Sequence, residues 1–197
     1  MVKKRIIAII MAALFFMALP SSGEEKKVVQ VLKLEGSISP VAANRLDKAL
    51  KTATEKKAQC LIIQLDTPGG LDESMRQMVK TIMNSEIPII VYISPKGARA
   101  ASAGLFLALA SHIAVMAPGT NLGAAHPVAL GIGGGLSKEM EEKVVNDASA
   151  YIKSIAQERG RDARWAEKAV RESASLTAEE ALEQGIFSRE KESKKKT

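Results

Sequence analysis

Four short apolar runs, set apart by amphipathic stretches, constrain this chain more than any other feature. Val28–Leu34, Cys60–Leu65, Ile89–Ile93 and Ile113–Met116 are rich in Val, Ile and Leu and are followed closely by Gly, Pro or Asp. Runs of that length and composition read as buried strands. Between the first two, Ser39-Pro40 supplies an N-cap and a proline at the first helical position, and Val41, Leu46, Ala49 and Leu50 follow at helical spacing. Between the second and third, Leu71, Met75, Met78, Val79, Ile82 and Met83 mark one face of a helix that Pro88 ends. Strand, helix, strand repeated this way predicts an α/β layered fold with a mainly parallel sheet flanked by helices.

The second half continues the helical theme. Ser137–Arg159 is the longest predicted helix, with Met140, Val144, Ala148, Tyr151, Ile152 and Ile155 as its buried stripe. A short helix is expected around Trp165 and another, opened by Thr177, runs to Gln184. Gly185 stops it, and Ile186-Phe187 reads as a last short strand.

Charge lies at the two ends. The net charge is +6, but Lys3-Lys4-Arg5 and the tail from Arg189 to Thr197 account for it and leave the body neutral. Aromatic residues make up only 4%. With no basic stripe on the fold and few rings to stack on bases, nucleic acid is excluded as a partner. Cys60 is the only cysteine, so no intrachain disulfide forms, and with two histidines no structural metal site is expected. The Lys-Lys-Arg triplet, the apolar run Ile6–Leu19 and Pro20-Ser-Ser-Gly23 have the layout of a secretory signal peptide over residues 1–23. That run is short for a membrane span. A domain over 24–188, exported or tethered through an uncleaved signal segment, and a charged, unfolded tail over 189–197 complete the expected organisation.

In a parallel sheet, ligands gather beyond the carboxyl ends of the strands. Two loops leave from such ends: Asp66-Thr-Pro-Gly-Gly70 and Gly97-Ala-Arg-Ala-Ala-Ser-Ala-Gly104. Ser102 sits at the junction of a strand and a helix among small residues, a position suited to a nucleophile but, on these residues alone, better suited to a helix cap. Gly69, Gly70 and Ala103 offer backbone N–H groups for a developing oxyanion. Two side chains are candidates for the base: His126, and Lys143 at the rim of the long helix's stripe, where a dry site lets an ammonium give up its proton. The four glycines within Gly131–Gly135 lack the Lys-Ser/Thr of a phosphate loop and read as a flap.

Taken together, Asp66–Gly70, Gly97–Gly104, Met116-Ala-Pro-Gly-Thr120, Gly123-Ala-Ala-His-Pro127 and Leu176-Thr-Ala-Glu-Glu-Ala181 resemble the protease domain of the NfeD-type membrane-associated serine proteases. That family is similar to ClpP and signal peptide peptidase A and shares the ClpP/crotonase fold. The resemblance runs from about Val28 to Phe187 and implies Ser102 as nucleophile, Lys143 as general base, and Gly69, Gly70 and Ala103 as oxyanion donors. No metal or other cofactor is implied. It further implies a hydrophobic peptide substrate near the C-terminus of a stomatin-like membrane protein, and a homodimer. Leu71, Leu105 and the glycine-rich flap would line the groove, with His126 contacting substrate or serving as the rival base, as the histidine of ClpP does. Longer members continue into membrane spans and a small β-barrel, so this chain is expected to be a short form or an excised domain. Two other functions fit the same loops: a crotonase-like acyl-thioester enzyme, and a non-catalytic adaptor for a membrane partner.

Overall fold

A computed structural model describes residues 27–128 and 137–186. The signal segment, the Gly131–Gly135 flap, Phe187 and the charged tail lie outside the described residues. Along the chain the elements are β1 (Val29–Glu35), α1 (Pro40–Glu55), β2 (Cys60–Asp66), α2 (Asp72–Met83), β3 (Ile89–Ile93), β4 (Arg99–Ala101), α3 (Ala103–Ala110), β5 (Ile113–Met116), β6 (Asn121–Gly123), α4 (Lys138–Glu158), α5 (Ala163–Arg171), β7 (Ser175–Thr177) and α6 (Ala178–Glu183).

The four predicted strands form one sheet in the order β1-β2-β3-β5, every pairing parallel. Alternate residues on its inner face, among them Leu61, Ile63, Leu65, Ile89, Val91 and Ile93, are fully buried against the helices. The outer positions of the two edge strands stay part-exposed at Val29, Val31, Ile113 and Val115. Three strands too short for a periodicity to register form a second sheet, β4-β6-β7, parallel between β4 and β6 and antiparallel between β6 and β7. The two sheets are joined beside Ser102, where Thr67 bridges to Ala100.

Helix α3 lies in the middle of the core, with all eight of its residues buried. Its far end is held by two arginines that follow α4: Arg159 Nε donates to the Ala110 carbonyl at 2.7 Å, and Arg161 Nη1 donates to that of Leu109. Arg161 has no carboxylate beside it among the described residues. Burial, then the charge of Arg159, lower its pKa to about 10. α4 departs from its expected stripe. Ala148, Ile152 and Ile155 are buried as predicted, and Ala156 with them, but Met140 and Val144 are 46% and 38% exposed, because the first two turns project past the body of the domain. Thr177 opens α6 with a reciprocal capping box to Glu180. No helix among the described residues is long and apolar enough to cross a membrane.

Candidate active site

The strand β4 turns into α3 at one residue, Ser102, whose φ of 51° and ψ of −117° lie where side-chain-bearing residues are seldom found. Such a conformation costs about 1–3 kcal/mol. It is tolerated because both flanks are fixed: Ser102 N–H donates to the Gly123 carbonyl at 3.1 Å, and the next eight residues are buried. Burying Leu105, Phe106, Leu107 and Leu109 stabilises by about 1.5–3 kcal/mol each, more than enough to outweigh the strain. The capping role is not taken up. Ser102 makes no side-chain bond to the helix it precedes. The hydroxyl therefore stands at an open helix N-terminus, whose dipole favours developing negative charge.

The elbow has a partner in the Asp66–Gly70 loop. A Cβ on Gly69 would come within 2.6 Å of the Ser102 Cβ and 3.0 Å of its Oγ, so glycine is required there for the serine to seat. Gly70 passes so close to the Ile38 backbone that a Cβ would fall 2.1 Å from the Ile38 carbonyl oxygen. Of the expected oxyanion donors, Gly69 is corrected: its N–H donates to Thr67 Oγ1 at 3.1 Å and is already engaged. It packs closely against Ser102. Gly70 and Ala103 both line the same cavity as Ser102.

That cavity measures about 440 Å³ and also takes in Leu71, Met75, Phe106, Val128, Val144 and Lys143. Leu71 lines it as expected and is 45% exposed. Leu105 does not, since it is fully buried in the core; helical geometry turns the neighbouring Phe106 to the cavity instead. His126 is corrected as well. Its Nδ1 is 2.9 Å from the Val170 carbonyl, and it lines a separate cavity with Lys138, Glu141, Glu142, Val145, Asn146 and Arg171. Lys143 shares the serine's cavity but is exposed, on the projecting turns of α4, rather than desolvated at the rim of a buried stripe. It makes no ion pair among the described residues.

Three charged residues besides Lys143 also line this cavity: Asp72, Arg76 and Asp147. Arg76 donates from Nε to Asp72 at 2.8 Å and from its terminal nitrogen to Asp147, with its guanidinium 4.5 Å from the Tyr151 ring centroid. Burial opposes its charge, but the two carboxylates outweigh that and hold its pKa above the ordinary value. Arg76 thus ties α2 to α4 one helical turn beyond Lys143. The spacing of Asp72 and Arg76 was visible in the sequence, while the cross-helix link to Asp147 was not.

A serine at a strained strand-to-helix turn, set in a layered α/β fold beside a glycine loop, fits the ClpP/crotonase class of folds, which a solved ClpP shares with this chain. Within that class the chain belongs to the NfeD1b N-terminal domain family, which it matches over residues 28–195. It is 42% identical over 183 residues to the membrane-bound protease PH1510 of Pyrococcus horikoshii, covering 93% of this chain and 41% of that protein. To the membrane protein NfeD1b of Bacillus subtilis it is 32% identical over 142 residues, covering 72% and 31%. The chain thus spans less than half the length of the curated relatives it matches. Among solved structures it is similar to a lysine-to-alanine mutant of the 1510-N membrane-bound stomatin-specific protease in complex with a substrate peptide, at TM-score 0.78 and 42% identity over 83% of this chain and 74% of that one. ClpP1 from Listeria monocytogenes, at TM-score 0.60 and 20% identity over 80% and 88%, shares the fold.

Proposed function

We propose that this chain is the catalytic domain of an exported serine endopeptidase that cuts hydrophobic segments of membrane-associated proteins, stomatin-like proteins among them, and that works as a homodimer. The observation that carries the reading is the backbone of Ser102, strained, uncapped and facing a cavity shared with Lys143. Support comes also from the relatives. A serine-to-alanine and a lysine-to-alanine mutant of 1510-N are known, and the two exchanged positions are separated by the same interval as Ser102 and Lys143.

In this mechanism Ser102 Oγ attacks the scissile carbonyl carbon while the neutral Lys143 amine takes the hydroxyl proton. The carbonyl oxygen, now negative, is met by the N–H groups of Gly70 and Ala103. Collapse of the tetrahedral intermediate breaks the C–N bond, and Lys143 delivers its proton to the leaving nitrogen. Water, deprotonated by the same amine, then hydrolyses the acyl-serine. An apolar segment seated against Leu71, Met75, Phe106 and Val144 displaces water from around Lys143.

The test is labelling with a serine-reactive fluorophosphonate together with cleavage of an apolar peptide. Ser102→Ala loses both. Lys143→Ala loses about 10²–10⁴-fold in kcat, the usual weight of a general base, while His126→Ala stays within about threefold of wild type. Full cleavage by Lys143→Ala with loss in His126→Ala overturns the dyad.

A further inference from the structure

We propose that Thr67 is a positioning residue: it locks the glycine loop and the serine elbow into one unit and so fixes the two oxyanion donors relative to each other. The proposal rests on the protease reading above. Thr67 is a polar residue with no exposed surface, at the centre of the site yet outside the reacting cavity. Every group it has is engaged, and each engagement reaches a different part of the machinery.

Its hydroxyl accepts from Gly69 N–H at 3.1 Å and donates to the Gly69 carbonyl at 3.2 Å, closing the loop on itself. With Gly69 tied back, the next N–H on the loop, that of Gly70, is the one left to face the cavity. Its main chain pairs with β4 on both sides, accepting from Ala101 N–H at 3.1 Å and donating to the Arg99 carbonyl at 2.8 Å. Ala101 is the residue before Ser102. Its methyl group abuts the start of α3, since a Cβ on Gly104 would fall 2.5 Å from Thr67 Cγ2. Ala103, the second donor, lies between these two anchor points. One side chain therefore bonds the Gly70 side of the oxyanion site and packs on the Ala103 side. Valine would keep the packing and lose the lock, whereas serine would keep the lock and lose only a methyl group.

The experiment compares full-length wild type, Thr67→Val and Thr67→Ser in cleavage of an apolar peptide, in inhibition by a peptide aldehyde, and in binding of the uncleaved peptide on a Ser102→Ala background. Deleting one oxyanion donor commonly costs 10²–10³ in kcat, and misaligning one costs less, so Thr67→Val is expected to lose about 10–100-fold in kcat. Aldehyde affinity should fall in parallel, with KM and uncleaved-peptide binding unchanged. Thr67→Ser should recover to within about threefold of wild type. A merely structural threonine would move stability and KM without this split, and that result overturns the proposal, as does a Thr67→Val enzyme with wild-type kcat. If Thr67→Val does not fold, amide NMR of the wild type with a peptide boronate decides. The Gly70 and Ala103 protons should shift downfield on adduct formation while that of Gly69 stays; a large Gly69 shift overturns the assignment. A wild type that neither cleaves nor forms the adduct defeats the protease reading itself, an outcome distinct from cleavage that ignores Thr67.

Discussion

The two sides of the cavity are built to different standards. On the serine side, Ser102, Gly69 and Thr67 are held by main-chain pairing between two sheets and by a helix with no exposed residue. On the lysine side, Lys143 rides on turns of α4 whose Met140 and Val144 stay part-exposed, steadied near the cavity by Arg76 bridging Asp72 and Asp147. The first can sustain local strain; the second can move at little cost. Under the proposed mechanism, the difference means that Ser102 and the Gly70 and Ala103 amides are preorganised, while Lys143 is held less firmly.

Substitutions should sort by side. The largest effect is expected at Gly69→Ala, where a Cβ 2.6 Å from the Ser102 Cβ and a φ of +118° add overpacking to backbone strain. Cleavage should vanish and the melting temperature should fall by roughly 10 °C. Ser102→Gly also abolishes cleavage but removes a strained φ, so its melting temperature should rise by about 2–6 °C. An unchanged or lower value would show that the elbow stores no strain. Arg76→Gln should lower kcat by about 3–10-fold with the melting temperature within about 2 °C of wild type, because its carboxylate partners are 66–67% exposed and exposed ion pairs stabilise little. Raising the salt concentration should shift the wild type toward the variant. If Arg76→Gln instead unfolds the domain, the lysine side is part of the core and the contrast fails.

The smallest effect concerns pH. His112 Nδ1 accepts from Ile89 N–H at 3.1 Å near the far end of α3, and burial, then Arg159 and Arg161, hold its pKa below the ordinary value. A depressed histidine pKa means the fold prefers the neutral ring. That stability is complete above the unfolded value near 6.5 and is lost as pH falls below it, because the unfolded chain binds the proton first. The melting temperature should drop by about 1–2 °C between pH 7 and pH 5, and His112→Asn, which keeps an acceptor, should flatten the change.

What the sequence could disclose follows the same division. The parallel sheet and the helices α1 and α2 were legible because their apolar spacing repeats over many residues. β4, β6 and β7 were not, at three residues each, too short for any alternation to register. Glycines and small residues around Ser102 marked a tight turn, but only the fold reveals that Gly69 N–H is taken by Thr67, since nothing in Asp-Thr-Pro-Gly-Gly says which amide turns inward. Leu105 and Phe106 are neighbours of like hydrophobicity, and which one faces the cavity depends on the helix's rotation. The stripe on α4 was drawn too far because a periodic pattern does not state where the neighbouring surface ends.

The grip of Arg159 on the tail of α3 has a mechanical consequence. The same helix that hooks the serine-bearing helix at one end carries Lys143 at the other, about 24 Å away at 1.5 Å per residue. Were α4 to tilt about that hook by only about 5°, the amine would swing by roughly 2 Å, the span between a productive contact and none.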